Sequence, residues 1–196
     1  MKRSLLAPAL LASTLGLSGC ISFAADPPPS LLTLTPRTSL PAGSAVTSTR
    51  DTAIAIYEPS VPQRINVTRV PVQVDDSSIA YLKDAVWVEK PARLFKMLLS
   101  ETISAQTGRV TVDGEDPAIL ADAKLRGSLR HFGYDAPTSS VVVQFDAVRE
   151  SEEGVIESRR FEATVPGVPA EAAAVGDALN RAANDVAAEV AEWVGS

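Results

Sequence analysis

The chain has 196 residues with 18 basic and 24 acidic side chains, a formal net charge of −6. So acidic a balance leaves no electrostatic footprint for nucleic acid. A single cysteine excludes a disulfide framework, and a single histidine leaves too few nitrogen and sulfur ligands for the usual zinc sets.

The N-terminus has the three parts of a secretory signal. Lys2 and Arg3 give a positive start, and Leu5 to Leu17 is an apolar stretch broken only by Pro8, Ser13, Thr14 and Gly16. That stretch is shorter than the ~20 apolar residues a spanning helix needs, so residues 1–19 read as a processed segment. Leu17-Ser18-Gly19-Cys20 resembles the bacterial lipobox, in which a cysteine on small neighbours receives diacylglycerol and becomes the new N-terminus. The reading also accounts for Cys20, which in an exported chain would otherwise be an unpaired thiol. The only group attached to the protein is then covalent, a diacylglycerol and an N-acyl chain on Cys20, and no cofactor is expected. Several acyl chains hold firmly where one is marginal. Ile21 follows Cys20; an aspartate there tends to retain enterobacterial lipoproteins at the inner membrane, so Ile21 leans toward the outer one. Without Lys2 and Arg3 the basic count falls to 16 against 24 acidic, a mature charge of −8.

Residues 20–50 form an acylated cysteine and a tether rich in Pro, Ser and Thr, including Pro27-Pro28-Pro29, Pro36 and Pro41. Such composition favours extended chain, and 30 residues at about 3.3 Å each reach at most roughly 100 Å. Within it Leu31-Leu32-Thr33-Leu34-Thr35-Pro36 is apolar and β-prone. It is suited to docking as an edge strand, the alternative being a fully disordered tether.

Residues 51–196 read as one α+β domain. Ala53 to Tyr57 is a short buried strand, Arg64 to Val74 an alternating one whose end Pro71 demotes to an edge or bend, and Asp75 to Ser78 a turn. Ile79 to Leu82 is another strand and Lys83-Asp84 another turn. Pro91 opens a helix whose apolar positions include Phe95, Leu98, Leu99 and Ile103, and Gly108 ends it. After a short strand at Arg109–Val112 comes the acidic turn Asp113 to Pro117. Three longer strands follow, with a parity slip near His131-Phe132-Gly133 that predicts a bulge. Val141, Val143, Phe145 and Ala147 share one face of the second, and Glu150 to Gly154 is the hairpin before the third. A final helix over Pro169 to Val194 carries the stripe Val175, Leu179, Ala182, Val186, Val190 and Trp193. The order strands, helix, strands, helix predicts a mostly antiparallel sheet with both helices on one face.

Catalytic machinery is not expected. His131 is the only histidine and reads as a strand residue beside the bulge, so no triad can be built without it. Asp113, Glu115 and Asp116 lack the spacing of a calcium loop and read as a solvated turn, as do Glu150, Glu152 and Glu153. No metal ligand set and no Gly-rich phosphate loop is present. Tyr81 and Trp87 flank the polar turn before the first helix. Together they are a candidate contact surface for a partner or a lipid; the alternative places Trp87 under the helix as part of the core.

The order of landmarks resembles the ABC-type transport auxiliary lipoprotein (PqiC-like) family. A lipobox is followed by Leu32-Thr33-Leu34-Thr35-Pro36, then by Val67-Thr68-Arg69-Val70-Pro71, the pair Tyr81-Leu82, and Trp87 before the first helix. Leu31-Leu32 stands where the family usually has aromatics, and Trp87-Val88-Glu89-Lys90-Pro91 departs from the usual Trp-Ala/Glu-x-Pro. The resemblance implies an accessory lipoprotein, not an enzyme, that docks lipid-transport machinery at the outer membrane. Its partners would be an MCE-domain substrate-binding protein and an inner-membrane ABC transporter. A homo-oligomer is compatible with it. Alternatives are a regulator of another envelope machine, such as a secretion channel or cell-wall synthase, and a lipid-binding carrier.

Overall fold

The computed structural model describes residues 30–118, 120–151 and 153–196. The signal peptide 1–19 and Cys20 lie outside them. Seven strands form one sheet: β1 (Ile54–Ile56), β2 (Arg69–Gln73), β3 (Ile79–Val86), β4 (Thr111–Asp113), β5 (Ala123–Asp135), β6 (Ser140–Glu150) and β7 (Ile156–Val165). Helix α1 (Pro91–Thr107) falls between β3 and β4, and α2 (Ala172–Gly195) closes the chain. The α+β class and the order of elements are as expected.

The sheet is mixed. Its long ladders, β5 with β6 and β6 with β7, form the antiparallel meander, and β2 pairs antiparallel with β3. Strand β5 is long enough to take two partners on its other edge. Its start pairs in parallel with β1, its end in parallel with β2, and β1 also pairs in parallel with β4. Between β1 and β2 the chain stays alongside β5, with Ser60 N–H donating to the Gly127 carbonyl and Leu129 N–H to that of Ser60.

That path explains why the expected strand from Arg64 is shorter. Residues 62–66 turn, with Ile65 N–H bonded to the Pro62 carbonyl, and Ile65 is tucked into the core instead of standing on a strand. Lys83-Asp84 does not reverse the chain either. Strand β3 runs through it with a register shift against β2, and Asp84 takes the left-handed conformation at φ 58°. A polar pair can mark a bulge as well as a turn.

Strict alternation buries Val141, Val143, Phe145 and Ala147 of β6 under the helices. Trp87, Phe132, Phe95 and Phe145 follow one another edge to face or tilted, with centroids 5.2–6.5 Å apart, spacings at which aromatic pairs add to simple burial. The predicted bulge lies between Leu129 and His131. Gly108 caps α1 at φ 67°, its N–H on the Ser104 carbonyl. Helix α2 is buried on most of its circumference because it meets β6, β7, α1 and the N-terminal segment. Arg149 ties its end to the meander, stacking over the Trp193 ring at 4.7 Å and donating to the Trp193 carbonyl.

Candidate functional site

One face of the sheet is closed by α1 and α2, and these in turn carry the segment that leads toward Cys20. Leu32 forms a single parallel bridge with Trp87. Its N–H donates to the Val86 carbonyl at 2.7 Å and its carbonyl accepts from Val88 N–H at 2.9 Å. The Leu32 side chain lies against Gly176, where an added Cβ would come within 2.5 Å of it. Only a residue without a side chain leaves that space on α2.

Beyond this bridge the segment is held by side chains of α2 acting as a strand's backbone would. Asn180 Oδ1 accepts from Thr35 N–H at 2.9 Å. Asn184 donates to the Thr35 carbonyl at 2.9 Å and accepts from Arg37 N–H at 2.6 Å. Arg37 also pairs with Asp185, and Leu40 N–H donates to Glu101 of α1 at 2.9 Å. Residues 31–40 are thus a strap across the helix pair. Asn180 and Asn184 were not singled out by sequence. Their signal is an i, i+4 pair of poor helix formers within an alanine-rich helix.

The two aromatic candidates are not brought together. Trp87 is 1% exposed and packs on Phe132 at 5.4 Å, so it belongs to the core, with its indole N–H lacking a partner among the described residues. Tyr81 is half-buried on β3, the outermost strand beyond β2, with the Arg69 guanidinium 4.0 Å from its ring centroid.

The face of the sheet away from the helices carries guanidinium groups on an otherwise acidic chain. Arg160 donates twice to Asp146, at 2.6 and 2.9 Å, and Arg130 pairs with the same carboxylate at 3.1 Å. The hydrogen bonds from Arg160 hold the Asp146 pKa below the usual range. Arg126 lies 4.1 Å from the Tyr57 ring centroid, and Arg64 donates to the Arg130 carbonyl. His131 sits among them. Partial burial, then the charge of Arg64, hold its pKa below that of a free imidazole. These groups can present donors to an anionic surface, and no base–nucleophile pair forms around His131 among the described residues.

The acidic turn after β4 is more than a solvated loop. Asp113 and Glu115 both bind Lys96 of α1, the former at 2.7 Å, and Glu115 also accepts from Glu58 N–H at 2.8 Å. The Lys96 hydrogen bond is the main reason the Asp113 pKa falls to about 2. Burial opposes the charge on Lys96, but the hydrogen bonds to the two carboxylates outweigh it and its pKa is raised. The turn therefore latches β4 to α1. No cluster of potential metal ligands occurs among the described residues. A cleft of about 620 Å³ between the ends of the two helices is open and lined by Gln106, Thr107, Arg109, Glu189 and Glu192 among others.

No curated protein sequence is significantly similar. A crystal structure of a Xanthomonas campestris protein of the DUF330 family superposes with a TM-score of 0.69 at 18% identity, covering 84% of this chain and 94% of that one. A second crystal structure, of an uncharacterized protein, superposes with a TM-score of 0.64 at 14% identity over 75% and 94%. At such identities the likeness shows a shared fold. The sequence model of the ABC-type transport auxiliary lipoprotein component matches residues 33–191, from the strap to the last turns of α2, and the chain belongs to that family.

Proposed function

We propose that this auxiliary component of ABC-type transport is acylated on Cys20, sits in the outer membrane facing the periplasm, and docks an MCE-domain protein served by an inner-membrane ABC transporter. The observation that carries this reading is the family match over residues 33–191. It is supported by a lipobox upstream and by a domain that presents open surfaces to its surroundings. Energy and the lipid conduit come from the partners, and the protein supplies position. Tyr81, half-exposed on an outer strand, remains a proposed partner contact, whereas Trp87 is part of the core.

The test is affinity purification of the full chain from its own membranes after mild cross-linking. An MCE-domain protein and an ABC permease are expected in the eluate, with Cys20→Ala shifting the protein to the soluble fraction and losing them. Recovery of a secretin-like or cell-wall-synthase partner without any MCE protein would overturn the docking role.

A further inference from the structure

The docked strap changes how the domain can stand relative to a membrane. Ten residues separate Cys20 from Leu31, and at ~3.6 Å per residue they reach at most roughly 40 Å. A domain of this length has a radius of gyration near ~15 Å, hence a diameter of about the same 40 Å. The connection to the anchor joins the domain at Leu31, and any preferred orientation must come from the surface around that point.

The chemistry of that surface fits the position. Leu31 is 53% exposed and Val88 51% exposed, and they lie one residue to either side of the parallel bridge between Leu32 and Trp87. Lys90, also exposed, adds a cation two residues on. Apolar side chains beside a long cationic one suit the headgroup boundary, where the first enter the acyl edge and the second reaches phosphate.

We propose that the corner formed by Leu31, Val88 and Lys90 rests on the headgroup surface of the membrane that holds Cys20, with the strap fixing the domain's distance and orientation. This rests on the anchoring reading above. The strap is then a ruler: undocking residues 31–40 lengthens the free connection and releases the corner.

The test uses the full acylated chain in vesicles of phosphatidylethanolamine and phosphatidylglycerol. With Cys20 blocked by lipid, a thiol introduced by Val88→Cys or Ser196→Cys takes an environment-sensitive fluorophore. Ser196 follows the far end of α2, twenty residues and ~30 Å from the Leu32 contact at Gly176. A quencher on the lipid headgroups should cause loss of emission at position 88 and little at 196. In Asn180→Ala/Asn184→Ala protein the loss at 88 should fall to the level at 196. Equal quenching at both positions in unaltered acylated protein overturns the orientation. Unchanged quenching in the double variant overturns the ruler. Mass spectrometry of the same samples reports the lipid on Cys20, and its absence would sink the anchoring reading, and this inference with it, by a separate signal.

Discussion

Asn184 donates its side-chain amide to the carbonyl of Thr35 at 2.9 Å, across 149 residues of sequence. The pair joins the last helix to the segment that leads toward the anchor. Asparagine is a poor residue for a helix interior, and here it is 5% exposed. Its presence is explained by the strap, because both ends of its amide are used by main-chain groups of residues 35 and 37.

Asn184→Ala is accordingly expected to lower stability by about 1–3 kcal/mol, the loss of two hydrogen bonds to the strap at ~0.5–1.5 kcal/mol each. Thr35 O and Arg37 N–H lose their partners together. Asn180→Ala, which removes the exposed bond to Thr35 N–H and a long one from Asn184 Nδ2 at 3.4 Å, should cost only ~0.5–1.5 kcal/mol. Urea denaturation gives the magnitudes. Hydrogen exchange gives the location, with Arg37 losing protection while the amides of β6 keep theirs. An Arg37 amide still protected in Asn184→Ala would refute this role.

A second relationship lies within the sheet. Gly127 of β5 faces the ring of Phe145, and a Cβ built on it would come within 2.5 Å of Phe145 Cζ and closer still to the Asp146 carbonyl. Gly127→Ala should therefore destabilise by ~1–3 kcal/mol, as overpacking does. The backbone contact cannot yield as a side chain can, which favours the upper part of that range. Thermal melts of a double-mutant cycle check the cause: in a Phe145→Leu background the same substitution should cost less. Additive costs would mean that the ring is not what excludes the methyl group.

What the sequence discloses about this fold depends on the range of the interaction. Alternation along Val141 to Ala147 and the parity slip at His131 are local, and both the buried face and the bulge are where they were expected. The capping of α1 by Gly108 is likewise a local signal. Ile65 was misleading because a turn residue that plugs a core looks, in sequence, like one tooth of an alternating strand. The parallel placement of β1 and β2 along β5 escapes any periodicity, since it is decided by which long strand has a free edge. The strap illustrates both cases: its apolar docking residues are visible in Leu31 to Pro36, but the asparagines that hold it lie on a distant helix. Trp87 shows the converse. A tryptophan beside polar residues resembles a contact residue, and only the packing on Phe132 shows that it faces inward.

The latch on Lys96 has a pH signature. Asp113 has a pKa of about 2 in the folded protein, set chiefly by the Lys96 hydrogen bond, against ~3.9 for an unperturbed aspartate. A depressed carboxyl pKa stabilises the folded state above the unfolded value, and that stabilisation is lost as pH falls through the folded one. Because the Asp113 side chain is 56% exposed, solvent screening keeps the effect small, and Asp113→Asn should cost about 0.5–1 kcal/mol near neutral pH. The difference between unaltered protein and variant, measured by urea denaturation, should be constant above about pH 5 and shrink below about pH 4. It should be largely gone only once the pH is well below the folded value, where Asp113 is protonated in both the folded and the unfolded state. A difference that keeps its full size in acid would show that the substitution acts by disturbing the turn, through the Glu115 N–H that Asp113 also accepts at 3.0 Å, and not through the charge it shares with Lys96.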